Sequence, residues 1–145
     1  MKGLPESRDG AILLLRLALG VIFFMHGAQK VLGLFGGAGL QATVENFQAH
    51  LGIPPILGYA AAFTEFAGGI ALVFGFLTRV AAFGIGVTMA VAIVKVHAPH
   101  GFFLNFLCKE GQGHGVEYNV ALLAMALALL LSGAGAYSID RKITG

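Results

Sequence analysis

The sequence predicts an all-α protein, a four-helix transmembrane bundle with a short interfacial helix. Only 11% of its 145 residues are charged, whereas about 25% are charged in a typical soluble domain. Its apolar residues gather in four runs, each close to the roughly 20 residues that a helix needs to cross a bilayer. The runs cover residues 11–34, 57–76, 79–99 and 116–136, and we expect one membrane domain over residues 1–145.

The first run is predicted to stay in the protein rather than to act as a cleaved signal peptide. The residues before it are polar but carry both charge signs. The run exceeds the ~7–15 apolar residues of a signal peptide, and no small-residue cleavage site precedes a polar mature start. Residues 11–34 are therefore expected to form the first transmembrane helix.

The loop after the first helix is predicted to contain a short helix of its own. In LQATVENFQAHLGIPP, polar residues occupy one helical face, and the apolar residues at helical spacing on the other are Leu40, Val44, Phe47 and Leu51. This pattern is typical of a helix that lies in the membrane interface. Gly52, followed by Pro54 and Pro55, marks its end. A plain connector fits the same segment, so both interpretations stay open.

The distribution of basic residues predicts the orientation of the bundle. Five of them, Lys2, Arg8, Arg79, Arg141 and Lys142, lie on one side, and only Lys109 lies on the other. Because loops rich in Lys and Arg stay in the cytoplasm, we expect both termini to be cytoplasmic. The tight turn FGFLTRV between the second and third helices should lie on the same side, with the two long loops outside.

Ionisable side chains inside these helices are predicted to meet in the extracytoplasmic half of the bundle. Each costs about 2.5–3.5 kcal/mol at a helix centre, so it usually faces a partner within the protein. At a rise of about 1.5 Å per residue, His26 and Glu65 reach the same depth, and Lys30 lies one turn above His26. The predicted polar cluster, a candidate ligand site, is His26, Lys30, Glu65, Lys95, His100 and Glu117.

Most of the ionisable residues within the helices share a helical face with small residues, and we expect these faces to meet neighbouring helices. The faces are Arg16, Gly20, Phe23, Gly27 and Lys30 on the first helix, Gly84, Thr88 and Lys95 on the third, and Glu117, Ala121, Ala124 and Ala128 on the fourth.

Arg16 alone lies in the inner half, with no acidic residue predicted at its depth. It is expected to reach the cytoplasmic interface or to bond helix-end carbonyls, with Asp140 as a candidate partner. Charge pairing that only fixes the helix arrangement, a ligand site and a proton path stay open as roles for the cluster.

The sequence does not predict a metal site. The only candidates share one outer segment and are His97, His100, Cys108 and His114. Imidazole and thiolate bind zinc or copper, but this spacing matches no standard metal motif. The single cysteine excludes an internal disulfide. A net charge of +2, carried by scattered residues, argues against nucleic acid as a partner.

Four segments carry a pattern that extends over nearly the whole chain. In order they are RLALGVIFFMHGAQKVLG, TEFAGGIALVFGFLTRVAA, HAPHGFF and EYNVALLAMALALLLSGAGAYSIDR. Together they resemble the DoxX family of small bacterial and archaeal membrane proteins. The residues that match the family pattern are Arg16, His26, Gly27, Lys30, Glu65, Gly69, Gly75, His100, Gly101, Phe102, Glu117 and Asp140.

This resemblance implies a four-helix bundle in the cytoplasmic (inner) membrane. It also implies a loose association with respiratory and sulfur redox chemistry, since relatives are linked to quinol oxidase preparations and to thiosulfate:quinone oxidoreductases. Other relatives accompany oxidative-stress proteins in membrane complexes. The resemblance assigns a catalytic role to none of the matching residues.

The leading functional prediction is a redox-associated subunit that holds a quinone or a similar amphipathic molecule. The aromatic residues expected to form its apolar slot are Phe23, Phe63, Phe66 and Phe102, with Phe24 and Phe103 beside them. His26 would donate to a carbonyl and exchange a proton, and Lys30 or Lys95 would stabilise negative charge on the ring oxygens. The chain shows no haem, flavin or iron–sulfur motif.

A second interpretation belongs to a different class of protein. The chain would then be a non-catalytic membrane scaffold that docks a redox or stress-response partner protein, with its buried charges serving only assembly. The lipid bilayer surrounds the protein in both interpretations. A redox partner protein and a homo-oligomer stay open in both.

Overall fold

The computed structural model describes the backbone of residues 4–144 and the side chains of residues 8–144. Its helices are α1 (Leu4–Leu32), α2 (Leu40–Leu51), α3 (Pro55–Phe74), α4 (Thr78–Ala92), α5 (Glu117–Ser132) and α6 (Ile139–Thr144). The predicted all-helical bundle is confirmed, with α1, α3, α4 and α5 as its long helices. Lys2, on which the predicted orientation partly rests, lies outside the described residues.

Three helical segments in the described residues are long and apolar enough to cross a membrane. They are Arg8–Leu32, Pro55–Phe74 and Thr78–His100, the last because a π-helical turn and a 3₁₀ turn continue α4. The fourth helix, α5, is shorter than predicted. It ends at Ser132 because Gly133 has φ 76°, a left-handed backbone angle that closes the helix.

Helices α1 and α3 approach each other closely through glycines. A Cβ atom on Gly27 would lie only 2.3 Å from Phe66 Cα, and one on Gly69 would lie 2.3 Å from Phe24 N. The predicted small-residue face of α1 is confirmed, since Arg16, Gly20, Phe23 and Gly27 are all buried and Lys30 is half-buried. Only glycine allows the two backbones to pack at this distance.

The short helix α2 packs over the start of α3. It ends as predicted at Gly52, whose φ is 63°, and its Thr43 and Val44 are buried. The side chain of Val44 packs on Gly58 of α3, where it lies 3.4 Å from the position a Cβ would take. The structure therefore confirms the helix, while its location in the membrane interface stays a prediction.

Arg16 ties α1 to the segment that follows α5. It is 2% exposed, and its guanidinium donates from Nη1 to Ala134 O and from Nη2 to Tyr137 O, both at 2.6 Å. These carbonyls belong to non-helical backbone, which needs hydrogen-bond partners inside the protein at membrane depth. Arg16 is predicted to bond helix-end carbonyls, and the carbonyls that it bonds lie just beyond the end of α5, in the segment before α6.

Asp140 is a candidate partner for Arg16 by sequence, but its carboxylate bonds backbone N–H groups instead. Its carboxylate accepts from the backbone N–H groups of Leu77 at 2.7 Å and Thr78 at 2.9 Å. These N–H groups belong to the start of α4, which no side chain of its own caps. Asp140 therefore satisfies the exposed donors of a helix start, where a negative charge is also favourable. We call the region around Arg16 and Asp140 the Arg16 end of the bundle.

Candidate functional site

A large cavity lies at the other end of the bundle, about 1050 Å³ in volume. Its walls come from the last turns of α1, the first half of α3, the second half of α4 and the first turns of α5. Phe47 and Leu51 of α2 and residues of the 101–115 loop close it from above. Most of the lining is apolar, so the polar side chains that reach it stand out as candidate functional groups.

One ion pair lies on the cavity wall and links two helices. Lys30 Nζ of α1 contacts Glu65 Oε2 of α3, and the exposed fractions of the two side chains are 22% and 6%. The depths along the helices favour His26 as the partner of Glu65, with Lys30 as a second cation within reach. In the structure Lys30 bonds Glu65, and within the described residues His26 makes no hydrogen bond or ion pair with it. His26 lines the same cavity one turn below Lys30. A paired carboxylate and ammonium are each tolerated at this depth because neither is left alone.

Lys95 also lines the cavity, but it has no counterpart there. Within residues 8–144 its ammonium makes no hydrogen bond and no ion pair. It lies in the π-helical turn Ile93–His97, a rare backbone form that occurs often at functional sites. Pro99 is the sequence signal for this turn, because it has no N–H to offer the carbonyl of Lys95. Irregular backbone at membrane depth is tolerated where it lines a cavity rather than lipid, and this turn lines the cavity.

Two histidines that flank or end the 101–115 loop, His97 and His114, line the cavity. Hydrogen bonds to backbone atoms hold their rings in place. His97 Nδ1 lies 2.8 Å from His114 O, so this nitrogen carries the proton and donates. His114 Nδ1 accepts from the N–H of Asn105 at 3.1 Å, which places the proton of the neutral ring on Nε2. His114 therefore keeps a ring donor that no loop bond uses. Their position on the cavity wall is not among the predictions from sequence.

His100 does not join the predicted cluster. It lies outside the cavity wall, and its Nδ1 accepts from the N–H of Gly113 at 3.3 Å. Its ring packs so tightly on Gly113 that a Cβ there would lie 2.5 Å from it. The 3₁₀ turn after the π-helical turn changes its direction relative to Lys95, which regular helical spacing does not anticipate.

The candidate metal ligands are not assembled into a site. Within the part of the chain that the structure describes, no group of three or more His, Cys, Asp or Glu is arranged to hold a metal ion. The ring nitrogens of His97, His100 and His114 bond the loop backbone instead. Cys108 is exposed at a turn with φ 48°.

Helix α5 presents a different face from the predicted one. Its buried residues are Asn119, Leu122, Ala126 and Leu129, whereas Ala121, Ala124 and Ala128 are exposed. Glu117 consequently does not line the cavity, and Asn119, about 200° further around the helix, does. The prediction for α5 was wrong because this helix is apolar on all sides, so its periodicity does not define an inner face.

Asn119 is the cavity residue that sequence reasoning missed. It is 7% exposed, and its amide donates to the sulfur of Met89 at 3.6 Å, a weak acceptor. A buried amide in an apolar helix is a signal in the sequence, since such groups need partners inside the protein.

Only one of the four predicted slot aromatics lines the cavity. Phe23 does, and the other aromatic side chains in the wall include Phe47, Phe83 and Phe106. The predicted residues that lie elsewhere are Phe63, Phe66 and Phe102. Phe66 stacks on Phe24 with ring centroids 5.7 Å apart, and Phe102 packs edge-on against Phe103. The close contact between α1 and α3 brings the rings of Phe24 and Phe66 together, and this stacked pair lies outside the cavity wall.

These features define a class of protein, a polytopic helical membrane protein with an amphipathic cavity at one end. The chain belongs to the DoxX family, whose model matches residues 11–98. That range contains α1 to α4 for the most part, including Lys30, Glu65 and Lys95.

Relatives extend the likeness over the whole chain. A protein of Bacillus subtilis (strain 168) named Putative oxidoreductase CatD is 30% identical over 93% of this chain and 88% of its own length. Inner membrane protein YqjF of Escherichia coli (strain K12) is 31% identical over 97% of both chains. Inner membrane protein YphA of the same organism is 30% identical over 94% of this chain and 92% of its own. The comparison with solved structures found no match.

Proposed function

We propose that this chain is a redox-associated subunit of the cytoplasmic (inner) membrane that binds an amphipathic ligand, of the quinone class, in the cavity. The observation that carries the proposal is the cavity itself. It combines about 1050 Å³ of mostly apolar space with polar side chains from all four long helices. Ligand sites usually show this combination of an apolar body and a few convergent polar groups.

The lining suits the two ends of such a molecule. Phe47, Phe83 and Phe106 offer aromatic surface to a ring, and a chain would extend along the aliphatic wall between α3 and α4. Carbonyl or hydroxyl oxygens of the head would accept from Lys95 and from the free Nε2–H of His114. His26 would hold or pass a proton at the level of the Lys30–Glu65 pair.

The redox part of the proposal rests on the family and on one relative. CatD is named a putative oxidoreductase, and it aligns with nearly the whole of this chain. This chain's own residues supply binding, proton positioning and shielding from water. Electron transfer would then come from the ligand and from a partner protein.

The experiment is to purify the protein in a mild non-ionic detergent and to identify the co-extracted molecules by mass spectrometry. We expect about one quinone-like molecule per chain, on the reasoning that one cavity holds one ligand. Glu65→Gln should stay folded and retain less ligand, because Lys30 is no longer held in place. Glu65→Leu should also lower stability, because it leaves Lys30 without a counter-charge. Glu110→Gln, an exposed loop carboxylate outside the cavity, is the control.

Two results would contradict the proposal. One is a pure protein without an amphipathic ligand but with a stoichiometric protein partner, as the scaffold interpretation predicts. The other is ligand retention that stays equal in the parent, Glu65→Gln and Glu110→Gln, since the cavity would then not hold the ligand.

A further inference from the structure

The charged groups of the cavity are not balanced. Its lining contains one carboxylate, Glu65, and two ammonium groups, those of Lys30 and Lys95. Glu65 is already bonded to Lys30. The imidazole rings on the wall belong to His26, His97 and His114, and these add only positive charge when they are protonated. A phenol such as that of Tyr118, also on the wall, ordinarily carries no charge near pH 7. The cavity wall within residues 8–144 therefore has an excess of positive charge.

The excess charge is located at Lys95. Its side chain has no hydrogen-bond or ion-pair partner among the described residues, and its backbone lies in the π-helical turn at the cavity rim. Lys95 is itself exposed at this rim, and apolar residues such as Val91 and Leu104 line the cavity beside it. An anion at this place would form a charge-assisted hydrogen bond, about twice as strong as a neutral one.

We infer that the cavity selects an acidic amphiphile, whose ionised head binds Lys95 while its apolar part occupies the rest of the space. The inference rests on the proposed function and narrows its ligand class. The head would carry one negative charge, such as that of a carboxylate or of an ionised ring hydroxyl. An uncharged compound of the same shape would fill the cavity equally well but would leave Lys95 without its counter-charge.

A matched pair of probes tests this inference in the full-length protein. One probe is an alkylated hydroxynaphthoquinone, whose ring hydroxyl is ionised at neutral pH, and the other is its methyl ether with the same alkyl chain. Dissociation constants are measured in phosphatidylcholine nanodiscs, and partition into empty nanodiscs is subtracted. We expect the parent to bind the acid about five- to tenfold more tightly than the ether, the ratio expected when a charge-assisted hydrogen bond replaces a neutral one about half as strong.

Three variants locate the effect. Lys95→Gln should bring the two dissociation constants together, because it weakens binding of the acid more than binding of the ether. Ether binding that persists in this variant shows that the cavity is intact. Lys95→Arg keeps the charge and should keep the preference. Lys109→Gln removes a basic residue of the 101–115 loop that does not line the cavity. This control variant should behave like the parent.

The outcomes separate the two proposals. Equal binding of acid and ether by the parent would overturn the acidic-ligand inference and leave the amphipathic site standing. A preference for the acid that survives in Lys95→Gln, or is lost in Lys95→Arg, would overturn the role of Lys95. Failure of the parent to bind either probe would overturn both proposals.

Discussion

At the scale of single residues, Arg16 shows why a buried charge persists in an apolar helix. It offers two parallel donors to two carbonyls, Ala134 O and Tyr137 O, that lie outside any helix. A planar guanidinium can reach both at once, whereas an ammonium on a flexible stem acts as a single point charge. The cost of burying Arg16 is thus offset by backbone groups that would otherwise lack partners.

We predict that Arg16→Met lowers the free energy of unfolding by about 2–4 kcal/mol, since two hydrogen bonds to a charged group are lost. Arg16→Lys should cost less but not be neutral. Arg8→Gln, an exposed arginine of the same helix, is the control and should change stability by no more than about 0.5 kcal/mol. Unfolding in mixed micelles, followed by circular dichroism, measures all three. Equal stability of Arg16→Met and the parent would contradict this role.

The Lys30–Glu65 pair shows how far residue-level reasoning reaches into the candidate site. Depth along a helix follows from residue number alone, and it places Glu65 level with His26 and one turn below Lys30. It therefore predicts the cluster but not which cation bonds Glu65, which in the structure is Lys30. Glu117 shows where this reasoning stops. It begins α5 at the same end of the bundle, but position along a helix does not specify which side of it faces inward, and Glu117 lies outside the cavity wall.

At the scale of elements, the α1–α3 contact depends on the absence of side chains. Gly27 and Gly69 let each backbone touch the other helix. In lipid there is little hydrophobic drive between helices, so van der Waals contact of this kind stabilises the pair. The same contact positions Lys30 and Glu65, which lie on these two helices near the crossing.

Gly27→Ala is expected to separate α1 from α3 and to lower the free energy of unfolding by about 1–3 kcal/mol or more. The physical reason is that the new Cβ would lie 2.3 Å from Phe66 Cα, a backbone atom that cannot move alone. Gly10→Ala, on the same helix, is the matched control because nothing lies within 4 Å of its Cβ. It should raise stability by about 0.5–1 kcal/mol through helix propensity. If both substitutions raise stability, the close crossing is absent in the membrane.

Two elements, α5 and the end of α4, differ from their predictions. Helix α5 is rotated because an apolar surface on every side leaves its orientation to the fit with α4. The end of α4 departs from regular geometry because Pro99 interrupts the hydrogen-bond ladder. Both deviations change which residues reach the cavity. They bring in Asn119, His97 and His114 and leave out Glu117 and His100.

At the scale of the whole molecule, the two ends of the bundle have different constructions. The Arg16 end is held by side chains bonded to backbone, including those of Arg16 and Asp140. The cavity end is covered by α2 and by a loop whose Phe106 and Leu107 are each 78% exposed. The Arg16 end is thus tied by bonds from side chains to backbone, whereas a short helix and a loop cover the cavity end.

The orientation of the bundle is predicted from its basic residues, with the cavity end outside the cytoplasm. We expect a membrane-impermeant thiol reagent, added to intact cells, to label the exposed native Cys108. On a Cys108→Ser background it should also label Gln41→Cys but not Thr144→Cys, which should react only after permeabilisation. The reverse labelling pattern would invert the orientation and place the cavity on the cytoplasmic side.

The sequence by itself determined the four long helices of the bundle, the short helix α2, the glycine-rich face of α1 and the approach of a cation of α1 to Glu65. These follow from hydropathy, spacing and depth, which are properties of each helix taken alone. Only the tertiary structure decided the inward face of α5, the aromatic residues of the cavity wall and the lack of a partner for Lys95 among residues 8–144. Those features depend on how helices that are apolar on every side rotate to fit one another, and hydropathy is nearly equal for every rotation of such a helix.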